Sequence, residues 1–205
     1  MPKQTVIYIV RHGLSEANKL EIISGHINPQ LSEEGKVQAA EAKRAMSHIA
    51  FDEIYSSDLD RAVETVSIIH GNPVPDDHKL VGLRERDFGV IDGHPNSEFQ
   101  KFQEIKMSLP PEERPHYKYA DGMESDHELA KRYLKHLHEI VDEHRGSTIL
   151  VGSHGSAMRS LLLDIGWATH EELQANSIKN TGYIKLVHDG KEFIVEEVVG
   201  AKLSR

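Results

Sequence analysis

The chain predicts an α/β fold: three layers, α/β/α, around a mostly parallel central sheet, with an antiparallel strand at the C-terminal end. Three observations carry this prediction. Short apolar runs alternate with segments of helical periodicity, the pattern of βαβ units. Two of these runs, Thr5–Val10 and Thr148–Val151, are unbroken, as strands buried in a sheet require. A hairpin signal closes the chain, with Asp189-Gly190 set between two strand-like runs.

The first strand, Thr5–Val10, leads directly into Arg11-His12-Gly13. Ser32 stands where an N-cap belongs, and Ala39, Ala42, Met46 and Ile49 follow at helical spacing. Phe51–Tyr55 reads as a short strand, and Ser56-Ser57-Asp58 as the polar corner after it. Ala62, Val63, Val66 and Ile69 mark the next helix, which stops at Gly71. Between 92 and 122 the rhythm breaks in a stretch rich in Pro and charge, including Pro110-Pro111-Glu112-Glu113-Arg114-Pro115. It reads as a lid-like excursion from a single domain spanning 1–205. Leu129, Tyr133, Leu137, Ile140 and Val141 mark a longer amphipathic helix ending near Gly146. The strand Thr148–Val151 then runs into Gly152-Ser153-His154-Gly155. Thr169 and Glu172 have capping-box spacing for a short late helix. Tyr183–His188 and Lys191–Val199 are the hairpin strands.

With 205 residues the chain can bury a sizeable core. Lys plus Arg number 24 against 33 Asp plus Glu, a net charge of −9 with His neutral. That field repels polyanions, so neither nucleic acid nor an anionic membrane is expected as a partner. A small phosphorylated molecule gripped by a few local arginines remains compatible with it. The absence of Cys excludes disulfides and thiol catalysis. The apolar run Val6–Val10 is too short for a signal peptide, and no stretch approaches a membrane span, so a cytoplasmic location is expected. Fourteen histidines invite a metal. Yet His136 and His138 face different directions on a helix and no His-x₃-His pair exists, so no metal is expected. A homodimer stays open.

Ligands in open α/β sheets bind outside the carboxyl ends of the strands. His12 and His154 both follow a strand there, each with glycine behind it. Such a pair invites phosphoryl transfer through a histidine, which needs three further things. The imidazole must present a free nitrogen, positive groups must hold the phosphate oxygens, and an acid must protonate the departing oxygen. Arg11 adjoins His12, and Arg61 lies at a helix start just past a strand end. Glu85 stands between Arg84 and Arg86, just before the excursion. Singly, each residue has a plainer reading as a surface ion pair or capping group. Their combination outweighs those readings.

That combination resembles the histidine phosphatase superfamily, the phosphoglycerate-mutase-like fold. Val10-Arg11-His12-Gly13 with Asn18 looks like its first signature, and Ser24-Gly25 is similar to the segment that follows. Tyr55–Thr65, with Arg61, matches the second arginine motif; Leu83-Arg84-Glu85-Arg86 matches the acid motif; Gly152–Gly155 matches the second histidine. The resemblance implies that His12 becomes phosphorylated and Glu85 supplies the proton. It implies that Arg11, Arg61 and His154 hold the phosphoryl group, helped by Asn18 and the Gly155 amide. Ser24, Gly25 and Arg86 would line the substrate side, with 92–122 a small helical or loop insertion over the active site. No metal or organic cofactor is implied.

Within that family the chain departs from the mutase pattern at Leu14 and Phe88, and its excursion lacks paired arginines. These departures favour a phosphatase acting on a small phosphorylated metabolite, a sugar phosphate or phosphoglycerate-like ester. A cofactor-dependent phosphoglycerate mutase is the alternative. A non-catalytic phospho-ligand binding module is the third reading.

Overall fold

A computed structural model describes residues 4–204. Six strands form one sheet: β1 (Thr5–Arg11), β2 (Glu53–Ser57), β3 (Lys79–Leu80), β4 (Thr148–Ser153), β5 (Ile178–His188) and β6 (Phe193–Ala201), in the order β3-β2-β4-β1-β5-β6. The first four are mutually parallel, while β5 runs antiparallel to β1 and to β6. Because successive side chains of β1 point to opposite faces, the central strand feeds two cores. Ile7 and Ile9 pack with Leu129, Tyr133 and Leu161 on one side. Tyr8 and Val10 pack with Met46, Val66 and Ile69 on the other. The helices α2 (Glu33–Ala45) and α3 (Asp60–His70) cover the second face, and α5 (Asp126–Glu143) and α6 (Gly155–Asp164) cover the first. The three-layer α/β/α reading is the observed architecture.

Local signals act where the sequence places them. The Ser32 hydroxyl accepts from Gly35 N at 3.1 Å and starts α2. Gly71, left-handed at φ +94°, ends α3. Other boundaries moved. The second strand begins at Glu53, not Phe51, because Asp52 is tied to Thr148 through both its backbone N–H and its carboxylate. Ser56 and Ser57 are therefore buried strand residues, and the corner starts at Asp58. The Thr169–Glu172 capping bonds form, at 2.9 and 3.3 Å, but only a turn follows. There Arg159 Nε takes the Leu173 carbonyl, and Asn176 turns left-handed at φ 59°. The fifth strand starts at Ile178, with an irregularity before regular pairing begins at Tyr183. Sequence periodicity did not show α1 (Glu16–Lys19), α4 (Asn96–Ser108) or α6. The helix α4 lies inside the 92–122 stretch and packs Phe99 and Phe102 in a third cluster with Ile23, Phe88 and Met123.

Candidate active site

The carboxyl ends of β1 and β4 are paired, Arg11 opposite Ser153, so the next residues, His12 and His154, emerge side by side. Their ring centroids are 5.2 Å apart. The backbone of His12 is pinned twice: its N–H donates to Ser153 O at 2.9 Å, and Asn180 Nδ2 donates to its carbonyl at 2.9 Å. Gly13 donates to Thr65 Oγ1 at 3.0 Å, and a Cβ at Gly13 would meet Gly35 O at 2.5 Å. Only glycine lets α2 come this close to the loop that carries His12.

The His12 ring is buried and its Nδ1 lies 2.7 Å from the Gly13 carbonyl. A carbonyl only accepts, so Nδ1 carries the proton and Nε2 holds the free lone pair. Burial, with Arg61 and Arg11 nearby, pulls the His12 pKa well below the ordinary imidazole value. His154, fully buried, is depressed in the same way by burial, Arg61, His12 and Arg11. Neither of its ring nitrogens has a hydrogen-bond partner among the described residues. Both rings are therefore neutral near pH 7.

Arg61 is fully buried at the start of α3, and burial lowers its pKa to about 10. Its Nη1 donates to Ile27 O, and its Nη2 to Ser24 O and Gly25 O, at 2.9–3.0 Å. The same loop is held from the other side by Asp92, whose carboxylate accepts from the Gly25, His26 and Ile27 N–H groups. Arg11 donates to the Ile178 carbonyl, and its guanidinium lies 3.2–3.3 Å from where a Cβ on Gly155 would stand. A side chain at 155 would displace that guanidinium.

Glu85 sits across the site with its carboxylate on the N-terminus of α6. It accepts from Ser156 N at 2.9 Å, Ala157 N at 3.0 Å and Arg86 N at 2.7 Å. Neither flanking arginine pairs with it: Arg84 forks onto Asp58, and Arg86 turns to Asp126.

A cleft opens over these groups. Arg11, His12, Asn18, Ser24, Glu85, Arg86 and Gly155 line it, while Arg61, His154 and Gly25 lie in the layer behind. The structure thus gathers all ten expected residues at one place. It also adds residues that the sequence reading missed: Asn96, Phe99 and Gln103 from α4, and Arg159 from α6. Arg159 falls four residues after Gly155, on the same helix face, so recognising α6 would have found it. Sequence distance hid the rest.

Behind the cleft, Asp126 receives Arg86, Lys106 Nζ at 2.8 Å, His170 Nε2 at 2.8 Å, and Arg159 at 3.6 Å. Burial alone would raise its pKa, but the charges and hydrogen bonds of Arg86, His170, Lys106 and Arg159 hold it well below the carboxylate range. Burial brings Lys106 down to about 8. One further cluster lies at the other end of the sheet: Glu53, His78 and His144, far apart in sequence, bring one donor atom each within 4.8 Å of the others. No helix among the described residues is long and apolar enough to cross a membrane.

Comparison with known proteins agrees with this geometry. Residues 7–199 match the family model of the histidine phosphatase superfamily, branch 1. A 2,3-bisphosphoglycerate-dependent phosphoglycerate mutase of Parvibaculum lavamentivorans is 28% identical, covering 94% of each chain. The broad-specificity phosphatase YOR283W of Saccharomyces cerevisiae is 29% identical, over 94% of this chain and 84% of its own. The structure of an Entamoeba histolytica phosphoserine phosphatase in complex with 3-phosphoglyceric acid superposes with a TM-score of 0.75. It is 26% identical, covering 95% of this chain and 96% of that one.

Proposed function

We propose that this chain, which belongs to the histidine phosphatase superfamily, branch 1, hydrolyses small phosphomonoesters through a phosphohistidine on His12. The observation that carries this reading is the His12 ring, buried, neutral, and fixed through Nδ1 so that Nε2 is the free nucleophile. In the proposed first step Nε2 attacks phosphorus, the ester P–O bond breaks, and the departing oxygen takes a proton from Glu85. In the second, water attacks the phosphohistidine, Glu85 takes back a proton, and inorganic phosphate leaves with Nε2 restored. Arg11, Arg61 and His154 hold the phosphoryl oxygens in both steps, with Asn18 and the Gly155 amide assisting. Gly25 lets its loop pack on the Arg86 backbone, where a Cβ would come within 2.4 Å of Arg86 O.

Hydrolysis is favoured over return of the phosphoryl group to a substrate. The one arginine of the 92–122 stretch, Arg114, pairs with Glu171 and does not line the cleft. Phe88 contributes a buried aromatic wall, edge-on to Phe99 of the α4 lid. This cleft suits a metabolite with a short organic portion, of sugar phosphate or phosphoglycerate size, met in the cytoplasm. The mutase reading keeps the support of relatives named as mutases, among them one 28% identical over 94% of the chain and one 32% identical over 86% of it.

Acid-labile label on the enzyme after brief exposure to labelled substrate tests the reading, together with a phosphoester panel. His12→Ala is expected to lose both label and turnover while keeping its fold by circular dichroism. Turnover retained in that variant would refute the assignment.

A further inference from the structure

We propose that Glu53, His78 and His144 form a binding site for a divalent transition-metal ion of the zinc class, separate from the phosphate cleft. The three residues come from the start of β2, the turn at Asp76–His78 and the C-terminal end of α5. One donor atom of each lies within 4.8 Å of the other two. Imidazole and carboxylate are ligands that zinc accepts together, with water completing the tetrahedron.

Both imidazoles are oriented as metal ligands are, by a hydrogen bond on the other ring nitrogen. His78 Nδ1 is 2.9 Å from the Ile54 carbonyl, so it carries the proton and leaves Nε2 with the free lone pair. His144 Nε2 is 2.7 Å from the Tyr55 hydroxyl, and its Nδ1 stands 3.7 Å from Glu53 Oε1. That separation is too long for a hydrogen bond. It suits two donors on one ion, because bonds of about 2.0–2.2 Å in a tetrahedron put donors roughly 3.5 Å apart. The plainer alternative, a direct His144–Glu53 hydrogen bond, does not have its geometry here.

The surroundings supply a second, independent pointer. Tyr55 stacks on His78 at 3.9 Å and 7°. Asp77 and Glu143, the chain neighbours of His78 and His144, bring two further carboxylates to this corner. The corner is therefore an acidic one built around two imidazoles. Among the described residues no Lys or Arg pairs with Glu53. An ion here would clamp β2, the 76–78 turn and the end of α5. It would sit at the opposite end of β2 from the phosphate cleft, about 13 Å of strand away.

The test is zinc titration of chelator-treated, desalted protein, by calorimetry and by thermal unfolding. One zinc ion per chain is expected, with Tm rising as free zinc rises. Cobalt in its place is expected to show the visible bands of a tetrahedral nitrogen–oxygen site. His78→Asn and Glu53→Gln, each checked by circular dichroism, should weaken zinc binding at least tenfold and abolish the rise in Tm. Phosphatase turnover should be the same with and without zinc, because the cleft draws on none of the three residues. Absence of stoichiometric binding to the wild type would overturn the proposal, as would binding that both variants retain. Turnover that collapses on chelation and returns with zinc would also overturn the separation of the two sites.

Discussion

The Glu85 carboxylate is aimed by three backbone N–H groups and by no side-chain cation. In the proposed reaction its proton matters only when the leaving group is a poor one. Glu85→Gln is therefore expected to slow alkyl phosphates by about 10²–10⁴-fold. It should slow p-nitrophenyl phosphate far less, because nitrophenolate departs without a proton. Initial rates on both substrates decide it, and equal losses would make Glu85 a structural cap of α6. The two buried histidines have their own consequence. Their folded pKa values lie below the unfolded value of about 6.5, so below that pH the unfolded chain takes up protons that the folded chain refuses. Stability is fully present above pH 6.5 and is lost as pH falls, by up to about 1.4 kcal/mol per pH unit for each ring. Urea titrations from pH 7.5 to 5 should show this slope, and His154→Gln should flatten it. A slope unchanged in that variant would contradict the neutral buried state.

Asp126, the first residue of α5, links four elements. Arg86 reaches it from the acid loop, Lys106 from α4, Arg159 from α6, and His170 from the turn before β5. Its two oxygens face three basic side chains besides His170, so removing the anion and removing a cation are not equivalent. Asp126→Asn leaves buried cations uncompensated and is expected to cost about 3–5 kcal/mol. Lys106→Met removes one of the excess charges and keeps the apolar stem, so its cost should be clearly smaller. Chemical denaturation of the two variants side by side measures the difference. A milder effect from Asp126→Asn than from Lys106→Met would show that the cluster is not held by its carboxylate.

On the scale of the molecule, α4 sets the far wall of the cleft with Asn96, Phe99 and Gln103, and brings no arginine to it. A mutase must hold its substrate through a second transfer, whereas a hydrolase must admit water. Given phosphoglycerate and a bisphosphoglycerate primer, isomerisation is expected to be slow beside phosphate release from the best ester. Isomerisation at about 10 per second, a typical enzyme turnover, would reverse that expectation. Coupled assays run on one preparation compare the two rates directly.

The sequence alone determined the alternation of strands and helices, the glycines behind His12 and His154, and the capping signal at Ser32. These are local matters of side-chain period, backbone freedom and hydrogen-bonding residues a turn apart, and they survive into the fold almost unchanged. The motif residues could likewise be named from order along the chain. The tertiary structure decided what those residues touch. Arg86 is read from sequence as a substrate residue, and it does reach the cleft wall, but its guanidinium is committed to Asp126, forty residues on. The helix α4, low in apolar periodicity, takes its place by packing Phe99 and Phe102 against Phe88 and Ile23. The Thr169 capping bonds form without a helix, and Arg159 donates to the Leu173 carbonyl just beyond that turn. Glu53, His78 and His144 share no spacing that sequence could display, since β2, a turn and the end of α5 converge only when the sheet is assembled. Local propensity is written in neighbours along the chain, but charge pairing, lid packing and metal geometry depend on contacts that only folding brings within reach.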